Sequence, residues 1–173
     1  MTKQRFKRTL KGKTGDVFAV PLVDGSFGYA QAIAPVSSFA IDFALTSQRS
    51  NELEYGVTSP GSAIALMATW RTVVTGGHWC KVGTAALCVP ADSCPNQKLL
   101  ASGELVGVRH SSWGLLEEFL SAFHGQFPWN LYPAFNFDEY LLPGISRPTV
   151  ARVLDALSLE IFRSNCSARE GAA

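Results

Sequence analysis

No apolar run in the chain approaches the roughly 18 residues that a bilayer-crossing helix requires. The basic opening, MTKQRFKRTLKGK, is not followed by an apolar stretch or a small-residue cleavage site, so it does not read as a secretory signal. The expected compartment is the cytoplasm. Cysteine is scarce: Cys80, Cys88, Cys94 and Cys166 form no Cys-x-x-Cys pair, and His78, His110 and His124 do not stand at zinc-finger spacing beside them. A disulfide framework is not expected in a chain without an export signal, and reduced, mostly buried thiols are. The signatures of common enzymes are missing too. There is no Gly-x-Gly-x-x-Gly, His-Glu-x-x-His or Gly-x-Ser-x-Gly, and Gly12-Lys13-Thr14 lacks the glycine and strand that a phosphate loop needs before it. Neither a cofactor nor a metal is expected, and the chain reads as a binding protein and not an enzyme.

What is present is the material of a folded globule. Hydrophobic residues make up 47% of the chain and aromatics 11%, which argues against wholesale disorder. A length of 173 residues suits one domain with a proper core. The net charge of +1 hides an asymmetry. Six of the fifteen basic residues (Lys3, Arg5, Lys7, Arg8, Lys11, Lys13) precede the first acid, Asp16, so nine bases face fourteen acids from residue 14 onward, a formal charge of −5. An acidic body attracts a basic partner and speeds encounter with it. The expected organisation is a flexible basic arm over 1–13, a globular domain over 14–165 and a C-terminal tail over 166–173.

The periodicity predicts strands first. Gly15 to Val23 alternates Val17, Ala19 and Pro21 with Phe18, Val20 and Leu22; Asp24-Gly25 closes a hairpin; and Ser26 to Ala34 returns with Phe27, Tyr29, Gln31 and Ile33 on one face. Ser38 to Thr46, with Phe39, Ile41, Phe43 and Leu45 alternating, predicts a third strand. Further strands are expected over Ala63–Val74, where the β-branched end decides against a helix, over Trp79–Val89 with a break at Gly83, and over Gly103–His110. Ala91–Gln97 reads as a loop. Two helices are expected later. In the first, Leu115, Leu116, Phe119, Leu120 and Phe123 share a face, with Glu117 and Glu118 on the solvated side. The second opens at Pro148 and carries Val150, Val153, Leu154, Leu157 and Ile161 as its apolar stripe. The fold class is therefore α+β, β-dominant: an N-terminal antiparallel meander, compatible with an SH3-like, partly open barrel, and two helices in the C-terminal half.

Candidate functional residues are few. His78 and Cys80 could form a catalytic pair or half a metal site, but no third ligand or orienting acid sits at a recognised spacing, and two edge residues beside Trp79 is the simpler reading. The proline-rich segment from Phe127 to Tyr140 packs Phe127, Trp129, Tyr132, Phe135, Phe137 and Tyr140 into fourteen residues. Most of these rings would staple a long loop over the sheet. Aromatics beside acids also make a protein-binding surface, so Trp129, Asp138, Glu139 and Tyr140 are the candidate partner contacts.

At 15–34, GDVFAVPLVDGSFGYAQAIA, the chain resembles the immunity-protein-26 family of bacterial polymorphic toxin systems, in a Gly-Asp-Val-Phe strand, a proline, a turn and an aromatic-Gly-Tyr strand. HWCKVG at 78–83 and FDEYLLPGISRP at 137–148 look similar as well. The resemblance implies a cytosolic protein that binds and blocks one cognate toxin, often a nuclease or deaminase, with no cofactor and no membrane. The basic arm and the C-terminal helix depart from it. The alternative is an SH3-like nucleic-acid-binding module that uses the arm and exposed aromatics such as Phe27 and Tyr29. The acidic body argues against nucleic acid, because backbone binding needs several clustered cations.

Overall fold

The structure, a computed structural model, describes residues 12–102, 110–132 and 136–170. Five strands, β1 (Asp16–Pro21), β2 (Phe27–Pro35), β3 (Ala40–Ser50), β4 (Ala63–Trp70) and β5 (Cys80–Thr84), form one antiparallel sheet in the order β4-β3-β2-β1-β5. The sheet is not closed, and the fold is α+β with β predominating. The expected hairpin is present. Gly25 takes the positive φ its turn requires, and the Asp24 carboxylate accepts from the Ser26 backbone N–H (3.0 Å) and hydroxyl (2.6 Å).

Both faces of the meander are buried, which is why β1 and β2 carry so little polar alternation. On one face Phe18, Val20, Ala30, Ala32, Ile41, Phe43, Leu45 and Met67 meet helix α3 (Trp113–Phe123) and the aromatic segment. The other face splits into two patches, Val17, Ala19 and Tyr29 beneath Val57 and Val82, and Ile33, Ala44 and Leu66 beneath Cys94. The chain from residue 85 onward and the start of a helix at Pro95–Ser102 cover this second face, and two buried polar side chains hold them down. Gln31 donates to the Ala85 and Ala86 carbonyls (3.1 and 3.0 Å) and accepts from the Cys88 N–H (2.8 Å). Asp42 accepts from Asn96 (2.8 Å) and Gln97 (3.3 Å). A buried amide with its hydrogen bonds made is stable where an unpaired one is not, so these contacts fix where the loops run.

Several expectations are corrected. The strand over 63–74 ends at Trp70, and Thr72–Thr75 forms a short helix, α1, whose Val73 and Val74 are fully buried. Burial of the two valines overrides their β-propensity. The strand over 79–89 is only Cys80–Thr84, because Gln31 captures the chain after Ala85. The loop at 91–97 contains a 3-10 turn, Ala91–Ser93, and leads into α2 (Pro95–Ser102). Most of the strand expected over 103–110 lies outside the described residues.

The helix expected from Pro148 is α4, Ala156–Glu170. The preceding residues instead pair with the aromatic segment: the Trp129 N–H donates to the Arg152 carbonyl (2.7 Å), and Asn130 exchanges two hydrogen bonds with the Leu154 backbone (2.8 and 3.0 Å). The stripe is inverted as well. Leu159 and Phe162 pack on the core, while Val150, Val153, Leu157 and Ile161 are exposed. Because α4 runs to Glu170, residue 166 does not begin a tail outside regular structure. At the other end, Gly12 and Lys13 do not belong to a free arm. Their backbone N–H groups donate to Asp16 (3.2 and 3.0 Å), whose other oxygen binds Lys81 at 2.5 Å.

Candidate functional site

The four candidate partner contacts lie in one region, with Trp129 in the interior, Tyr140 half-buried, and Asp138 and Glu139 exposed. Trp129 is 2% exposed, in van der Waals company with Phe119 and Phe137, and its indole N–H donates to Asp138 (3.1 Å). Asp138 also faces Arg147 at 4.0 Å. Tyr140 is half-buried with its ring 6.4 Å from that of Phe119, and only Glu139 is exposed without such packing. Trp129 therefore holds the fold, and the loop-stapling reading describes this segment among the described residues. Phe135 lies outside them.

His78 and Cys80 do not converge. His78 stacks on Trp113, ring centres 5.2 Å apart, while the Cys80 thiol lies 3.8 Å from the Tyr55 hydroxyl. Among the described residues no three His, Cys, Asp or Glu side chains could hold a metal ion together. Tyr29 is fully buried and Phe27 partly so, which removes the stacking platform proposed for a nucleic-acid module. Among the described residues, no helix is long and apolar enough to cross a membrane.

Beneath the second face lie Asp42, Cys88 and Cys94. Burial pushes the Asp42 carboxyl up, against the lowering effect of Asn96 and Gln97. It pushes the Cys94 thiol up to about 12, aided by the nearby charges of Asp42 and Cys88. Burial also raises Cys88. A thiol held protonated and covered is a poor nucleophile. In native protein at pH 8, iodoacetamide should therefore modify the partly exposed Cys80 well ahead of Cys94, read by peptide mass spectrometry; equal rates would show that the covering loop opens freely.

A different end of the molecule gathers the exposed rings. Phe39, at the entry to β3, is 70% exposed, and Trp70, at the end of β4, is 40% exposed. Together with Arg71 and Thr75 they line a hollow of about 250 Å³. Trp70 packs edge-on against His110 with ring centres 4.1 Å apart. His110 in turn lines a second hollow of about 430 Å³, whose wall includes Ser112, Leu115, Glu118 and Tyr132. The His78–Trp113 stack stands beside it at the start of α3, where Ser112 caps the helix by accepting from the Leu115 N–H (3.3 Å).

Glu117 and Glu118 belong to this end, and they are not a solvated helix face. Glu117 accepts from the indole N–H of buried Trp79 (2.8 Å) and Glu118 from the Tyr132 hydroxyl (3.0 Å). Burial pushes both carboxyls above the ordinary range, and the charge of Glu117 raises Glu118 further. Ionising them in the folded state therefore costs stability at neutral pH. That cost fades as pH falls through the raised values and is gone below the ordinary carboxyl range, where the unfolded chain is protonated as well.

Trp70, His110 and Trp113 were not among the candidate contacts, because they lie at or beside the ends of different elements; Tyr132 stood out only as one ring of the aromatic segment. The only local sign was a tryptophan at the end of β4 and another at the start of α3. Compared with protein-family models, with curated proteins and with solved structures, the chain matches none.

Proposed function

We propose that the chain is an immunity protein that binds and blocks a cognate polymorphic toxin domain, a nuclease or deaminase being the expected kind. The observation that carries the reading is the surface just described, where Phe39, Trp70 and His110 form an exposed aromatic ridge between two hollows beside two half-buried carboxylates. Rigid rings supply contact area at low entropic cost, and interface energy concentrates on such anchors. The formal charge of −5 from residue 14 onward supplies attraction for a basic partner, and nucleic-acid enzymes are commonly basic. The resemblance at 15–34 supports the same class. It shares the strand and turn residues of the hairpin, which hold the fold, so the toxin-binding side chains are sought elsewhere.

The test co-expresses the chain with the toxin-bearing product of the adjacent upstream gene. Growth is expected to be rescued, and Phe39→Ala with Trp70→Ala to abolish rescue while the melting temperature stays within a few degrees. Truncating each anchor costs about 2 kcal/mol of binding, so the pair should weaken affinity by several hundredfold. Cell death despite soluble expression, together with tight salt-sensitive RNA binding by the purified chain, would replace this reading with the nucleic-acid module.

A further inference from the structure

The hollow at the start of α3 has the size of a specific subsite. Its volume of about 430 Å³ lies within the range of about 300–1,000 Å³ typical of ligand clefts. Its wall combines an aromatic ring, Tyr132, with one carboxylate, Glu118, and the hydroxyl of Ser112. No Lys or Arg is among its described lining residues, and no ion pair among the described residues involves Glu117 or Glu118. The Tyr132 hydroxyl occupies Glu118 Oε1, which leaves the second oxygen to bind another donor.

Two opposed fields meet here, and their sizes decide the sign of the guest. The first amides of α3 present roughly half a positive charge. Glu118 alone opposes that with a full negative charge once ionised, and adjacent Glu117 adds a second. The balance favours a cation. Burial holds both carboxyls in a state that an entering positive charge would relieve, since a close opposite charge stabilises the ionised form. The lining rings of Tyr132 and His110 favour a flat, weakly hydrated cation over a compact ammonium.

We infer that this hollow receives an arginine side chain of the partner protein, its guanidinium on the free oxygen of Glu118 and its stem against Tyr132. The inference rests on the protein-binding reading for the source of the arginine, but the site itself is a property of the free chain. Arginine fits better than lysine because its fork can meet a carboxylate oxygen and a hydroxyl in one plane.

The experiment titrates the isolated protein with Nα-acetyl-arginine amide and follows backbone and indole N–H signals by NMR. Saturable shifts are expected at Ser112, Gly114 and Leu115, with binding weakened at least tenfold in Glu118→Gln and restored in part by Glu118→Asp. Glu52→Gln, which alters an exposed acid elsewhere, should bind like the original chain. Nα-acetyl-glutamate amide should produce no saturable shift at these residues. Glu118→Gln keeps an acceptor for Tyr132, and an unchanged amide spectrum away from the hollow verifies its fold. Equal binding by Glu118→Gln, preference for the glutamate probe, or no saturation by the arginine probe would each overturn the inference. These results do not depend on the toxin: arginine binding without protection of cells removes the immunity reading and keeps the subsite, and protection without arginine binding does the reverse.

Discussion

Trp129→Ala is expected to lower the melting temperature by about 10 °C while leaving the affinity of the folded fraction for its partner unchanged. The ring is buried between Phe119 and Phe137, and emptying such a site costs about 3–5 kcal/mol in lost transfer energy and cavity. In a domain of this length each kcal/mol moves the midpoint by about 2–4 °C. Trp129→Phe separates the two components of the loss. It keeps most of the volume but leaves Asp138 without the indole donor, a smaller loss of about 1–2 kcal/mol. Calorimetry on both variants, with binding measured below the transition, checks this. A weakened complex at unchanged stability would restore Trp129 to the partner surface.

Gly83→Ala should be similarly damaging for a different reason. A Cβ at position 83 would overlap the Val57 carbonyl oxygen, where the 55–58 segment crosses β5 as a parallel bridge. The Gly56 and Val57 N–H groups both donate to the Val82 carbonyl (2.7 and 3.2 Å), so the segment cannot withdraw without losing those bonds. A loss of about 3 kcal/mol is expected, at the upper end for overpacking, and read as a lower urea midpoint. Gly114→Ala is the counter-case. Its position lies inside α3 with only the Ser112 hydroxyl at 3.9 Å, so the helix should gain about 0.5–1 kcal/mol from alanine. Equal effects at the two glycines would mean that backbone freedom, and not the approach of Val57, is what position 83 supplies.

Local pattern determined the meander and the first long helix. A period of two and a turn dipeptide act between neighbours in sequence, so β1, β2, β3 and their hairpin were legible from residue 15 onward. The spacing of Leu115, Leu116, Phe119 and Leu120 announced α3 for the same reason. Pattern misread elements whose state depends on what lies opposite. Val73 and Val74 favour a strand in isolation, yet their burial places them in a short helix. The stripe from Val150 to Ile161 looked core-facing, but the chain before Ala156 pairs with Trp129 and Asn130, and α4 then turns Leu159 and Phe162 inward.

The site was less legible than the fold. Trp129 and Tyr140 looked like anchors because a dense aromatic segment has the same composition whether it faces solvent or stitches down a loop, and only the sheet beneath decides. Glu117 and Glu118 read as a solvated pair because the helix period reports one axis, whereas Trp79 and Tyr132 arrive from other elements to meet them. Phe39, Trp70, His110 and Trp113 span more than seventy positions and share no period, so no sequence window contains them. Composition alone pointed to a folded chain that is acidic from residue 14 onward. Which carboxylates lost their water and which rings kept theirs was decided by long-range packing, the one step at which residues distant in sequence first compete for the same solvent.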